Sequence, residues 1–125
     1  MSKNPNSKRY DLEDRTLKFA KRVTMYVKEL LRTIPNVEYG KQLVRSAGSV
    51  GANYIEANES LSKKDFIMRI KICRKEAKET CYWMKLTEPT DATCSEQGAL
   101  IQESTELVKI FNAILEKSQG KGQGI

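Results

Sequence analysis

Three prolines, at positions 5, 35 and 89, punctuate this chain, and between them apolar residues recur every three or four positions. A 3.6-residue period lines such residues along one side of a helix, whereas a half-buried strand needs strict alternation, which is found nowhere. The chain is therefore expected to fold as helices that each bury one stripe. The first is expected over residues 12–33, with Ala20, Val23, Val27, Leu30 and Ile34 as its stripe, Phe19 and Tyr26 widening it, and Pro35 ending it. The second spans 38–60, with Leu43, Ala47, Val50, Tyr54 and Leu61 on one line.

The third opens at Ser62, which forms a capping-box-like pair with Asp65. Its seam is Phe66, Ile70, Cys73, Ala77, Cys81 and Met84, closed by Pro89. The fourth opens at the capping box "TCSE", residues 93–96, and carries Leu100, Leu107, Phe111 and Ile114, flanked by Ile101, Val108 and Leu115. Four amphipathic helices joined near 35–38, 60–62 and 88–93 imply an all-α, antiparallel up-down four-helix bundle. One domain over 12–117 is expected, preceded by a flexible segment (1–11) and followed by a disordered glycine-rich tail (118–125).

Composition narrows the chemistry. The 125 residues include no histidine, which removes the commonest general base, the Ser-His and Cys-His nucleophile systems and most zinc sites. "GSVGAN" lacks the Gly-Lys-Ser/Thr ending of a phosphate-binding loop. Neither an enzyme nor a cofactor or metal protein is expected. Cys73, Cys81 and Cys94 show no metal-ligand spacing, and Cys73 and Cys81 lie about 12 Å apart along a helix, too far to pair. They read as core-filling thiols in a reducing compartment. The polar opening "MSKNPNSKRYDLEDR" and the lack of any long apolar run point to the cytoplasm, without membrane contact.

The second helix contains an anomaly, "VRSAGSVGANYIEAN", residues 44–58. Each interior glycine costs a helix about 1 kcal/mol relative to alanine, so Gly48 and Gly51 ought to serve packing. With Val44 and Ile55 they form a face beside the seam where another backbone can come close. Opposite the seam runs a polar line, Arg45, Ser49, Asn53 and Glu56. Charge is sparse on this helix, which implies that most of its circumference is covered, by the bundle or by another subunit. On the third helix Arg69, Ile72, Glu76, Glu79 and Trp83 fall on one face beside the core seam, which suits a packed polar interface.

"RSAGSVGANYIEA" followed by "KEAKETCYWMKL" resembles the bacterial four-helix-bundle proteins encoded in 23S ribosomal RNA intervening sequences. These are akin to the accessory variability-determinant proteins of diversity-generating retroelements. The resemblance covers roughly 12–117 and is strongest at Arg45, Ser49, Asn53, Glu56, Glu76, Glu79 and Trp83. It implies a ring-like homo-oligomer, a pentamer, with a basic surface suited to nucleic acid, no enzymatic activity, and a reverse transcriptase as a partner in the retroelement branch.

The charge itself is uneven. A net +6 and a pI near 9.3 favour acidic partners. Lys64, Lys71, Lys75, Lys78 and Lys85 project from one face of the third helix, with Arg74 at its edge and Tyr82 among them. Lys18, Lys21, Lys28 and Arg32 form a counterpart on the first helix, while the fourth is acidic. Such stripes meet a phosphate backbone without base-specific readers. The sequence thus points to an RNA- or DNA-binding oligomer. The alternative is an oligomeric scaffold that docks an acidic protein.

Overall fold

The computed structural model describes residues 7–120, which form four α-helices and, among the described residues, no strand. They are α1 (Ser7–Glu29), α2 (Ile34–Asn58), α3 (Lys63–Leu86) and α4 (Cys94–Ser118). Each packs on its neighbours in the order 1-2-3-4, with α4 returning to α1, and across one diagonal the rings of Tyr54 on α2 and Phe111 on α4 lie 6.1 Å apart in the core. The expected bundle is the observed one. Residues 1–6 and 121–125, to which most of the flexible segment and the glycine-rich tail belong, lie outside the described residues.

Boundaries moved where the chain turns. α1 begins at Ser7 and stops at Glu29, and Pro35, expected to end it, sits instead in the first turn of α2. Proline suits that place, because the first-turn N–H groups have no helical acceptor and its ring presets φ. Thr33 caps α2 by accepting from the Asn36 amide at 3.2 Å. Ile34, placed by periodicity on the first stripe, is therefore 82% exposed, and Leu61, placed on the second, is 99% exposed in the α2–α3 turn. Ser62 does cap α3, accepting from the Asp65 amide at 3.0 Å. The "TCSE" capping box does not form: Thr93 has helical backbone angles and its hydroxyl accepts from the Thr90 amide inside the preceding turn.

The core takes Leu12, Thr16, Phe19, Val23 and Tyr26 of α1 and Leu30 just beyond it, a strict four-three repeat that keeps Val23 and Leu30 of the expected stripe and sets Phe19 and Tyr26 deeper than Ala20 and Val27, which are partly buried beside it. Facing it are Leu43, Ala47, Val50 and Tyr54 of α2, Ile70, Cys73, Ala77 and Met84 of α3, and Leu100, Leu107, Phe111 and Leu115 of α4. Of the three thiols only Cys73 is in this core; Cys81 is half-buried and Cys94 exposed at the start of α4, so the expectation of three core thiols is corrected.

At one end of the bundle Asn36, 3% exposed, donates to the Leu31 and Glu88 carbonyls and accepts from the Glu88 amide. It clamps the α1–α2 turn to the chain leaving α3. Beside it the Tyr26 hydroxyl bonds that of Thr87 at 2.7 Å. Buried polar groups keep such partners because an orphan costs about 1–3 kcal/mol.

Burial pushes the Cys73 thiol from 9.0 up to about 12. Burial also raises Tyr26, against a lowering by the Thr87 hydrogen bond. Both folded pKa values lie above the unfolded ones, so the native state holds protons that the unfolded chain releases. The stability this gives is whole below the unfolded thiol value and is lost from there to about pH 12. The expected result is an unfolding free energy, measured by denaturant titration, that falls from pH 9 towards 12 by about 1 kcal/mol per pH unit from the thiol alone. Cys73→Ala should flatten that slope; a slope unaltered in the variant would refute the assignment.

Candidate nucleic-acid interface

The outer face of α3 is set by the core behind it. With Ile70, Cys73, Ala77 and Met84 turned inward, Lys64, Lys71, Lys75, Lys78 and Lys85 must point out, and all five are exposed. Among the described residues the sole ion pair of any of them is a long Lys75–Glu76 contact, 3.9 Å. Tyr82 lies in the same row, 58% exposed. Arg74 leaves the row: it is half-buried and donates to Asn112 Oδ1 of α4 at 2.9 Å.

The α1 stripe stands apart. Lys18, Lys21 and Lys28 are exposed on α1, Arg32, expected on the same helix, is exposed in the turn beyond it, and Lys18 pairs with Asp14 at 3.0 Å. Because α1 and α3 occupy opposite corners of the bundle, the two stripes face different sides of the molecule. No single patch unites them.

Arginines of α1 that sequence reasoning did not single out have a different task. Arg15 donates from Nε and Nη2 to Glu103 at 2.7 and 2.9 Å, and Arg22 to Glu96 at 3.0 and 3.1 Å. These two-pronged pairs join α1 to α4, and the hydrogen bonds to the carboxylates hold both guanidinium pKa values above their ordinary value. The acidity of α4 is thus partly consumed inside the molecule.

The polar faces of α2 and α3 meet each other. Arg45 Nη2 donates to Glu79 at 2.8 Å and reaches Glu76 at 3.4 Å, and Glu76 is only 6% exposed. Further along, Arg69 donates to Asn53 Oδ1 at 2.9 Å, while Asn53 Nδ2 donates to the carbonyl and hydroxyl oxygens of Ser49. Between these groups the buried Thr80 and Ser46 hydroxyls bond at 2.8 Å. Six of the residues expected to form an assembly motif therefore make one intramolecular ladder. Glu56 is exposed and takes no part in it. Trp83 packs against Tyr39, with ring centres 6.2 Å apart, and against Tyr82, edge-on at 5.1 Å. Its Nε1 is buried with no hydrogen-bond partner among the described residues.

Gly48 and Gly51 of α2 part company. A Cβ at Gly51 would stand 2.9 Å from Thr16 Oγ1 and 3.2 Å from Thr16 Cβ, so this glycine admits α1. A Cβ at Gly48 would meet nothing beyond its own stretch of helix within 4 Å. The expectation of one shared close-approach face is corrected: Gly51 serves the α1–α2 packing within the chain. Gly40 does the same beside Val27, with a Cβ separation of 2.9 Å, and was not foreseen.

A family model of the 23S rRNA-intervening sequence protein matches residues 8–113. The chain belongs to that family. It is also similar to a protein of unknown function from the S23 ribosomal protein family of Bacteroides thetaiotaomicron VPI-5482, known from a crystal structure. The two share 33% sequence identity with a TM-score of 0.74, over 87% of this chain and 98% of that one. No curated protein matches. The matched residues 8–113 include the ladder, Gly48, Gly51 and the lysine row of α3, and of the motif that carried the resemblance Arg45 and Asn53 bond across from α2 to α3. Among the described residues no helix is long and apolar enough to cross a membrane, and no group of His, Cys, Asp or Glu could hold a metal ion.

Proposed function

We propose that this member of the 23S rRNA-intervening sequence protein family is a non-enzymatic, homo-oligomeric binder of RNA or DNA backbone. The α3 row is its contact surface. The observation that carries the reading is five exposed lysines along one helix with almost no carboxylate to neutralise them. A bundle that spends Arg15, Arg22 and Arg45 on internal pairs, yet leaves this row free, keeps its positive field for an external polyanion. A protein without histidine that reads phosphates needs no reaction chemistry at the site.

Self-association draws support from the outer face of α2. Val44, Gly48, Ala52 and Ile55 are all exposed, and between Lys41 and Glu56 the sole charged side chain is the already paired Arg45. A charge-free exposed stripe of this kind is what contact between subunits requires.

The test is fluorescence anisotropy with labelled RNA across a salt series. The wild type is compared with the Lys71→Glu, Lys75→Glu, Lys78→Glu triple variant. An acidic protein used as competitor separates this reading from that of a scaffold for acidic partners, which predicts binding that RNA does not share.

A further inference from the structure

We propose that the groove between α3 and α4 is a base-stacking subsite, and that the ligand of the lysine row is single-stranded nucleic acid. The inference rests on the backbone-binding reading above and adds to it which form of nucleic acid is bound and how.

The row runs close to the axis of α3, winding by only about 20° per heptad. Lys64, Lys71, Lys78 and Lys85 recur every seven residues, one lysine per about 10 Å over about 32 Å. A turn of B-form duplex takes about 34–36 Å. A nearly straight line of charge laid along a duplex therefore meets each strand about once and otherwise faces groove. An extended single strand can follow the whole row, lysine by lysine.

The row also contains something a duplex cannot use. Lys78, Cys81, Tyr82, Lys85, Thr105 and Val108 line a groove of about 280 Å³. No carboxylate lines it, two ammonium groups stand at its rim one heptad apart, and its floor is mainly apolar. Tyr82 is more than half exposed, and its hydroxyl has no hydrogen-bond partner among the described residues, so one side of the ring is left open to solvent. The edge-on contact with Trp83, itself held against Tyr39, fixes the ring. A ring fixed in advance loses little side-chain entropy when a base stacks on it. Bases in a duplex are already stacked and paired, whereas those of a single strand offer a free face. Phosphates on either side of the stacked base would lie against Lys78 and Lys85.

Single-stranded RNA, single-stranded DNA of the same sequence and the RNA duplex are titrated against wild type, Tyr82→Ala, Tyr82→Phe and the lysine triple variant. Base–aromatic stacking sets the expected loss for Tyr82→Ala at about ten- to a hundredfold on both single strands, with an unchanged salt slope. Tyr82→Phe should bind like wild type, and Tyr82→Ala should leave duplex affinity unaltered. Trp83, the one tryptophan of the chain, should change its emission when a single strand binds. If Tyr82→Ala binds single strands like wild type while the lysine variant fails, the subsite is refuted and the lysine row stands. A lysine variant as tight as wild type overturns both.

Discussion

Gly51→Leu is expected to lower the stability of the fold by about 3 kcal/mol or more, whereas Gly48→Leu, three residues away, should leave it unharmed. At Gly51 even a Cβ comes within 2.9 Å of Thr16 Oγ1. Thr16 cannot turn away cheaply: it is 1% exposed and its hydroxyl donates to the Leu12 and Glu13 carbonyls. A leucine would have to push α1 off α2, uncovering Val23, Phe19 and Val50. For a domain of this size the cost reads as a fall in melting temperature of about 10 °C or more. At Gly48 an added Cβ would meet nothing beyond its own stretch of helix within 4 Å, and replacing an exposed helical glycine recovers up to about 1 kcal/mol of helix propensity. Thermal unfolding followed by circular dichroism checks both, and equal melting temperatures for the two variants would contradict the account. Light scattering on Gly48→Leu then reads assembly apart from folding, since bulk at that position disturbs only a contact from outside the chain.

Reversing Lys71, Lys75 and Lys78 should weaken RNA binding about a hundredfold or more at low salt. On a single strand each neutralised phosphate contributes about −0.7 to the slope of log affinity against log salt, so four contacts give about −3. Losing three flattens the slope by about 2, and the three new carboxylates repel the strand besides. The loss should be similar for all sequences, because phosphates carry no base identity. Folding should survive, as exposed substitutions usually cost under about 0.5 kcal/mol. One position needs a control. Lys75→Glu sets a second carboxylate beside the nearly buried Glu76, so Lys75→Gln in the same background separates that local repulsion from lost binding. An unchanged salt slope would show the row to be a solvated face.

The helices were legible because each buries one stripe of a single period, and that information is local. What the period could not supply was phase and ending. Ile34 lies four residues after Leu30 and so continues the stripe of α1 on paper, although Thr33 and Pro35 together spell a helix start. The exposed lysines of α3 were legible for the same reason as the core, being its complement. Where a polar residue finds its partner was not. Arg15 and Glu103 lie 88 residues apart, and nothing on either helix names the other. The α2–α3 ladder was half visible, as two polar faces, without any indication that they face each other. Gly48 and Gly51 sit on adjacent parts of one helix, and only the position of α1 distinguishes them.

The seam between α1 and α4 has a consequence in time. On the ribosome α1 emerges first and its neighbour α4 last. At about 5–20 residues per second, α1 waits several seconds or more with that flank uncovered. Every other seam forms between helices adjacent in sequence; this one closes only after Cys94–Ser118 has been made. Arg15 and Arg22 line the waiting flank, so it remains charged and hydrated until Glu103 and Glu96 arrive. Fragment 1–90 carrying Arg15→Leu and Arg22→Leu should sediment as aggregate where the unaltered fragment stays dispersed, and equal sedimentation would refute this. The two arginines are then guardians of the unfinished chain before they are fasteners of the finished one.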